Sequence, residues 1–197
     1  MNQQPKDQKP KAFAFIDSQN LNIGVQNYGW KIDWRKFRKF LAERYNVVQA
    51  YLFIGYLPEN EDLYTQMHDA GYLVVLKPTI DMYMTPEEKE EMQKPKEGET
   101  EPKKMVTKGN VDAELVLYAV KEMPNYDKAV IVSGDGDFFG LVEYLEQQGK
   151  LLCLMAPNRK YSSLLKPFEK NIVRVDEFKR QLSYRGYQGK KPNPKKA

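Results

Sequence analysis

Apolar positions along the chain fall into two rhythms, and each predicts a different element. Short apolar runs occupy Ala12 to Ile16, Val47 to Ile54, Tyr72 to Leu76, Ala129 to Val132 and Leu151 to Met155. Several are apolar at successive positions, which predicts strands buried on both faces of a parallel sheet. Between them, apolar residues recur at helical spacing over Trp34 to Tyr45, Glu61 to Ala70, Val111 to Met123 and Phe138 to Gln148. The last part, Ile172 to Val175 and then Glu177 to Leu182, predicts a short strand and a closing helix. Strand-length runs alternating with helices mark an α/β fold, a sheet covered by helices.

The alternation breaks between Lys77 and Gly109, where Pro78, Pro86, Pro95 and Pro102 punctuate a charged run. Residues 85–108 hold seven Glu and six Lys. Such a stretch cannot bury a core by itself, so a charged insertion is expected at about 78–107. Its flanks, Met82 to Met84 and Met105 to Thr107, have the composition to pair as a hairpin. The excursion reads either as a flap over a substrate or as a solvated loop. The expected organisation is a flexible tail at 1–11, one domain over 12–182 and a second flexible tail at 183–197. A length of 197 residues agrees with one domain plus appendages.

Charge separates the tails from the body. The chain carries 31 Lys and Arg against 27 Asp and Glu. Of this formal +4, the two tails hold +7, so residues 12–182 sum to −3. The basic character therefore belongs to the tails. The lone cysteine, Cys153, excludes an intrachain disulfide and fits a reducing compartment. No stretch approaches the ~20 apolar residues of a membrane helix, and the first residues lack the apolar core of a secretory signal. A soluble, cytoplasmic protein is expected.

Three places put carboxylates where an α/β fold does not need them. In Phe13-Ala14-Phe15-Ile16-Asp17-Ser18-Gln19-Asn20 an apolar strand runs straight into Asp17, placing it at a strand's carboxyl end, where open parallel sheets bind ligands. Ala129-Val130-Ile131-Val132-Ser133-Gly134-Asp135-Gly136-Asp137-Phe138 repeats the form with two acids beside a glycine turn. Taken alone, Asp135 also reads as a helix N-cap and Asp137 as a first-turn acid favoured by the helix dipole. The third place is Lys108-Gly109-Asn110-Val111-Asp112-Ala113-Glu114-Leu115. If Asn110 caps that helix, Asp112 shares a face with Leu115, Val116 and Ala119 and points inward. Glu114 is turned about 200° away, toward Tyr118, Lys121 and water.

An acid at the edge of a core needs compensation, because an unpaired buried charge is costly. A lysine would supply it, and so would a metal shared by Asp112, Asp17, Asp135 and Asp137. Four converging carboxylates raise one another's pKa values unless cations neutralise them. With oxygen ligands, a single histidine and no cysteine cluster, the donor set favours Mg2+ or Mn2+ over zinc or redox metals. Such a site can hold a phosphodiester and activate a water for in-line attack.

In order along the chain, Phe15-Ile16-Asp17-Ser18-Gln19-Asn20, Lys108-Gly109-Asn110-Val111-Asp112 and Val132-Ser133-Gly134-Asp135-Gly136-Asp137-Phe138 resemble the three signature segments of the NYN domains. These are PIN-like nucleases, and the LabA-like branch is the most similar. The resemblance spans about residues 12–175. It implies a three-layer PIN-like α/β/α sandwich with a mainly parallel central sheet and metal-dependent cleavage of RNA. It implies Asp17, Asp112, Asp135 and Asp137 as metal-site acids, with Asn20 orienting the first of them or touching the phosphate. Ser133 and Lys108 are candidate contacts to substrate. Two features depart from the family pattern: Gly136 stands where a serine is frequent, and the insertion before Lys108 is long.

Other residues divide between packing and binding. Trp30, Trp34, Arg35, Lys36, Arg38 and Lys39 mix aromatics with cations as nucleic-acid surfaces do, yet Phe37, Phe40 and Leu41 also make this an ordinary amphipathic helix. Tyr184, Tyr187 and the five cations of the last segment suit loose attachment to nucleic acid. His68 lies far from the signature segments, and Cys153 reads as packing. A phosphatase of the aspartyl-phosphate type would need a second acid two residues after Asp17, where Gln19 stands. No Gly-x-Gly-x-x-Gly follows the first strand, so a nicotinamide or flavin cofactor is not expected. The partner expected is RNA. A non-catalytic RNA-binding or adaptor module is the alternative to an endoribonuclease, and the composition permits a homodimer.

Overall fold

Burial on both faces of one strand organises the molecule. In the computed structural model, which describes residues 9–77 and 111–186, β1 (Ala12–Asp17) is buried at all six positions. It pairs in parallel with β2 (Val47–Gly55) on one side and β4 (Lys128–Val132) on the other. β3 (Leu73–Lys77) extends the sheet beyond β2, and β5 (Leu151–Ala156) and β6 (Ile172–Arg174) extend it beyond β4. All pairings are parallel, and the order is β3-β2-β1-β4-β5-β6. The charged insertion, its candidate hairpin, Asn110 and Lys108 lie outside the described residues.

The side chains of β1 alternate in size as they alternate in direction. Ala12, Ala14 and Ile16 face a core shared with α1 (Ser18–Gln26), α2 (Trp34–Tyr45) and α3 (Glu61–Asp69). Phe13 and Phe15 face a second core with α4 (Asp112–Lys121) and α5 (Phe139–Gln147). The fold is thus a three-layer α/β/α sandwich. A fully buried Phe contributes about 1.5–3 kcal/mol, so this one strand anchors both layers.

The predicted strands and helices recur with ends shifted by one or two residues. α2 matches its predicted span: Asp33 caps it by accepting from the Lys36 amide at 3.1 Å, and Asn46 ends it in the left-handed region at φ 53°. The predicted closing helix begins as a 3-10 turn, Val175–Phe178, before α6 (Lys179–Leu182). Besides short 3-10 turns, two nine-residue elements were not predicted. One is a run of 3-10 turns over Ser163–Asn171, interrupted by Phe168. The other is α1, which buries only Ser18, Leu21 and Val25.

α1 is held close to the loop after β5. A Cβ built on Gly24 would overlap the ring of Pro157, and the Asn158 amide donates to the Gly24 carbonyl at 3.0 Å. Proline cannot swing aside, so Gly24→Ala should act as overpacking and cost about 1–3 kcal/mol. A thermal melt of the variant should show a Tm several degrees lower, and an unchanged Tm would mean that the approach is looser than described.

Candidate active site

Strand order reverses direction at β1 and β4, because the chain goes outward to β2 and β3 and then returns to start β4 beside β1. A crevice opens at the carboxyl ends of the strands at such a switch point. Here it has a volume of about 600 Å³. Asp17 at the end of β1, Asp112 at the start of α4, and Asp135 and Asp137 after β4 all line it. The four acids of the three signature segments therefore share one cleft.

Hydrogen bonds stitch the two strand ends together. The register sets Ile16 beside Val132, which brings Ser133 next to Asp17. The Asp17 carboxylate caps α1, accepting from the Asn20 amide at 3.0 Å, and also accepts from the Ser133 hydroxyl at 3.3 Å. Ser133 Oγ in turn accepts from the Asp135 amide at 3.1 Å. The Asn20 side chain accepts from the Gly134 amide at 2.8 Å. Asp135 caps the 3-10 turn Gly136–Phe138, accepting from the Asp137 amide at 3.1 Å.

Ser133 and Asn20 both act on the strand ends. Ser133 is fully buried, and its hydroxyl positions Asp17 and the following turn. The carboxamide oxygen of Asn20 holds the Gly134 amide, while its backbone amide steadies Asp17. Gly136 has a local reason of its own: a Cβ there would overlap the Ser162 hydroxyl. That hydroxyl reaches the position from the segment after β5.

Asp17 is only 6% exposed, and its pKa is pushed up to about 6. Burial is the largest cause, with repulsion from Asp112 and then Asp135 adding to it; the Asn20 amide and the Ser133 hydroxyl pull the other way. The acids thus feel one another. Among the described residues, however, no group of three or more His, Cys, Asp or Glu is close enough to form a preassembled metal cage. The donor chemistry still fits a hard divalent cation, since Mg2+ keeps several waters and uses one or two carboxylates together with substrate phosphates.

Part of the wall comes from the loop after β5, which the sequence pattern did not point to. Asn158 and Lys160 line it, and the Asn158 carboxamide oxygen accepts from the Lys160 amide at 2.7 Å. Lys160 is the one cation in the cleft lining among the described residues. The available signal was Ala156-Pro157-Asn158, a third buried strand ending in a polar turn. Its relevance depends on β5 lying beside β4, and strand order is not written in any local segment.

The remaining candidates separate from the cleft. Glu114, expected on the wet side, forms a half-buried ion pair with Lys77 at 2.9 Å, tying α4 to the end of β3. His68 is exposed on α3 and is not part of the cleft lining. Cys153 is buried, and that burial pushes its thiol up to about 12. No helix among the described residues is long and apolar enough to cross a membrane.

Comparison with known proteins agrees with this geometry. The family model of the NYN domain matches residues 11–172. The chain is 30% identical over 140 residues, 70% of its own length and 69% of the relative's, to the low amplitude and bright protein LabA of Synechococcus elongatus. A crystal structure of a Vibrio parahaemolyticus protein of unknown function superposes with a TM-score of 0.67, covering 92% of this chain and all of that one at 24% identity. That likeness establishes the fold. Nothing in these comparisons supports a homodimer. With its signature acids gathered at the β1/β4 switch, the chain belongs to the NYN domain family, in the LabA-like part of the PIN-like nuclease superfamily.

Proposed function

We infer that this protein is a divalent-metal-dependent endoribonuclease that hydrolyses RNA phosphodiester bonds. The observation carrying the reading is Asp17: a buried carboxylate with its pKa raised to about 6, in a cleft lined by three further aspartates. A strand-end acid serving only as a helix cap would sit in water without acidic neighbours. Carboxylates drawn from Asp17, Asp112, Asp135 and Asp137, together with substrate phosphate, would hold Mg2+ or Mn2+. When bound, the cation supplies charge neutralisation at the phosphate and a lowered pKa for the attacking water.

The chain's own residues do the rest. Asp17 and Asp135 present carboxylate oxygens fixed by the Ser133 hydroxyl and by backbone amides. Ser133 and Asn20 are positioning residues that lock the two strand ends in register. Lys160, which lines the same cleft as the acids, carries a charge suited to a phosphodiester oxygen. No Ser, Thr, Cys or His stands among the described lining residues, which accords with direct attack by water.

The raised pKa also sets a stability cost. Folded Asp17 titrates near 6 and unfolded Asp near 3.9, so the folded state binds that proton more tightly. Its contribution is fully present below about pH 4, declines as pH rises to 6 and is gone above it. The difference is on the order of 2–3 kcal/mol. In EDTA at pH 7.5, Asp17→Asn should therefore melt about 5–10 °C above the parent, with the gap closing toward pH 4. The same variant should lose Mn2+-dependent cleavage of RNA by on the order of 10²–10³ or more. A variant that is no more stable, or that still cuts, contradicts the role given to Asp17.

Manganese should raise the Tm of the parent in a concentration-dependent way, since a ligand of the native state shifts unfolding by about 2.7 kcal/mol at a hundredfold excess over Kd. Ser133→Ala should need about 10–100-fold more Mn2+ for the same shift, the usual effect of removing a residue that orients a metal ligand. Cleavage unaffected by chelation would remove the metal from the mechanism.

A further inference from the structure

Two more cavities open beside the acidic cleft, and the three share walls. One, of about 390 Å³, lies across α1 from the cleft. The other, of about 230 Å³, continues it toward α2 and the end of the described chain. Asn20, Gly24 and Asn27 of the α1 segment face the cleft, whereas Ser18, Asn22 and Gln26 face the groove, as a 3.6-residue period requires. Gln19, in the first turn, lines both. Lys31, Trp34, Leu63 and Met67 line both the groove and the last cavity. A continuous surface therefore leads from the four acids, around the start of α1, to Lys31, Trp34, Arg35 and Tyr184.

The structure sorts the cations at the start of α2. Lys36 is engaged by Asp33 at 3.3 Å and by the Ser183 carbonyl at 2.8 Å. Arg38 donates to the carbonyls of Gly71, Val47 and Val48, and Lys39 pairs with Glu43 at 3.7 Å. Lys31 and Arg35 are both exposed, have no carboxylate partner among the described residues, and line the track. Lys31 Nζ lies 5.7 Å from the ring centroid of Tyr184, which is 54% exposed. The platform is fixed from beneath, because the Tyr184 amide donates to the Lys31 carbonyl at 2.9 Å.

We propose that this track binds the segment of single-stranded RNA flanking the phosphate held in the acidic cleft. Its chemistry matches an unpaired strand: an exposed ring for stacking, two uncompensated cations for phosphates, and the carboxamides of Gln19, Asn22, Gln26 and Asn60 for base edges. A duplex keeps its base faces stacked on one another and cannot offer them to Tyr184. The proposal rests on the nuclease reading only for where the scissile phosphate lies.

The test is the affinity of the full chain for fluorescein-labelled decauridylate, followed by anisotropy in EDTA, where binding is read without turnover. Lys31→Ala, Arg35→Ala and Tyr184→Ala change exposed side chains, and circular dichroism checks that each variant folds. Combined, they should weaken binding at least tenfold. They should also reduce the slope of log K against log salt by about 1.4, roughly 0.7 for each phosphate that the variant leaves unneutralised. Lys39→Ala with Lys166→Ala, off the track, should change affinity by less than twofold. The proposal fails if the triple variant binds like the parent, if the off-track pair loses as much, if a blunt-ended RNA duplex without a loop competes as well as the single strand, or if the parent does not bind decauridylate. Track-dependent binding without cleavage in Mn2+ would refute the nuclease reading and leave the track standing. Cleavage with binding indifferent to the triple variant would refute the track alone.

Discussion

A carboxylate held out of water at the end of the central strand is the constraint around which the site is built. Asp17 ends a strand buried on both faces, so its charge enters an environment that does not solvate it. Two donors, the Asn20 amide and the Ser133 hydroxyl, offset part of that cost. Repulsion from Asp112 and Asp135 adds to it. An arrangement that raises an acid's pKa with two more acids is unfavourable for a resting protein and useful for one that receives a cation. Perturbed groups of this kind gather at functional sites for that reason.

The sheet turns this local strain into a defined cleft. Parallel pairing sends β1 and β4 the same way, and the return crossover places their ends side by side. Ala12, Ala14 and Ile16 on one face of β1 and Phe13 and Phe15 on the other pack against the two helical layers. α4 packs on the phenylalanine side and brings Asp112 to the cleft. α1 emerges directly from Asp17 and runs between the cleft and the neighbouring groove, with Gln19 in its first turn lining both.

Much of this was legible because burial writes itself into sequence. Strands apolar on both faces read as continuous runs, and α2 carries its cap, its periodic Phe37-Phe40-Leu41 face and its left-handed terminator in one stretch. The four aspartates were legible because each follows or opens a buried element, where a charge has no packing role. Sequence reasoning gave Asn20 a part in orienting Asp17 but did not anticipate that the Ser133 hydroxyl turns onto Asp17 or that the Asn20 side chain holds the Gly134 amide, because direction at a strand end depends on the register with its neighbour. Asn158 and Lys160 were invisible for a related reason: only the order of β4 and β5 brings them to the cleft.

The missed helix carries the same lesson further. Helix prediction from pattern assumes one apolar face and one wet face. α1 violates that assumption because its Asn20 side lines the cleft and its Asn22 side lines the groove. Only the narrow strip through Leu21 and Val25 packs against the sheet. Gly24, ordinarily unfavourable inside a helix, is required by the close approach of Pro157. A helix polar on two sides and closely approached on a third looks like loop in the sequence. Where an α/β protein hides such an element directly after a strand-end acid, a disagreement between local propensity and fold is the kind expected at functional or strained sites.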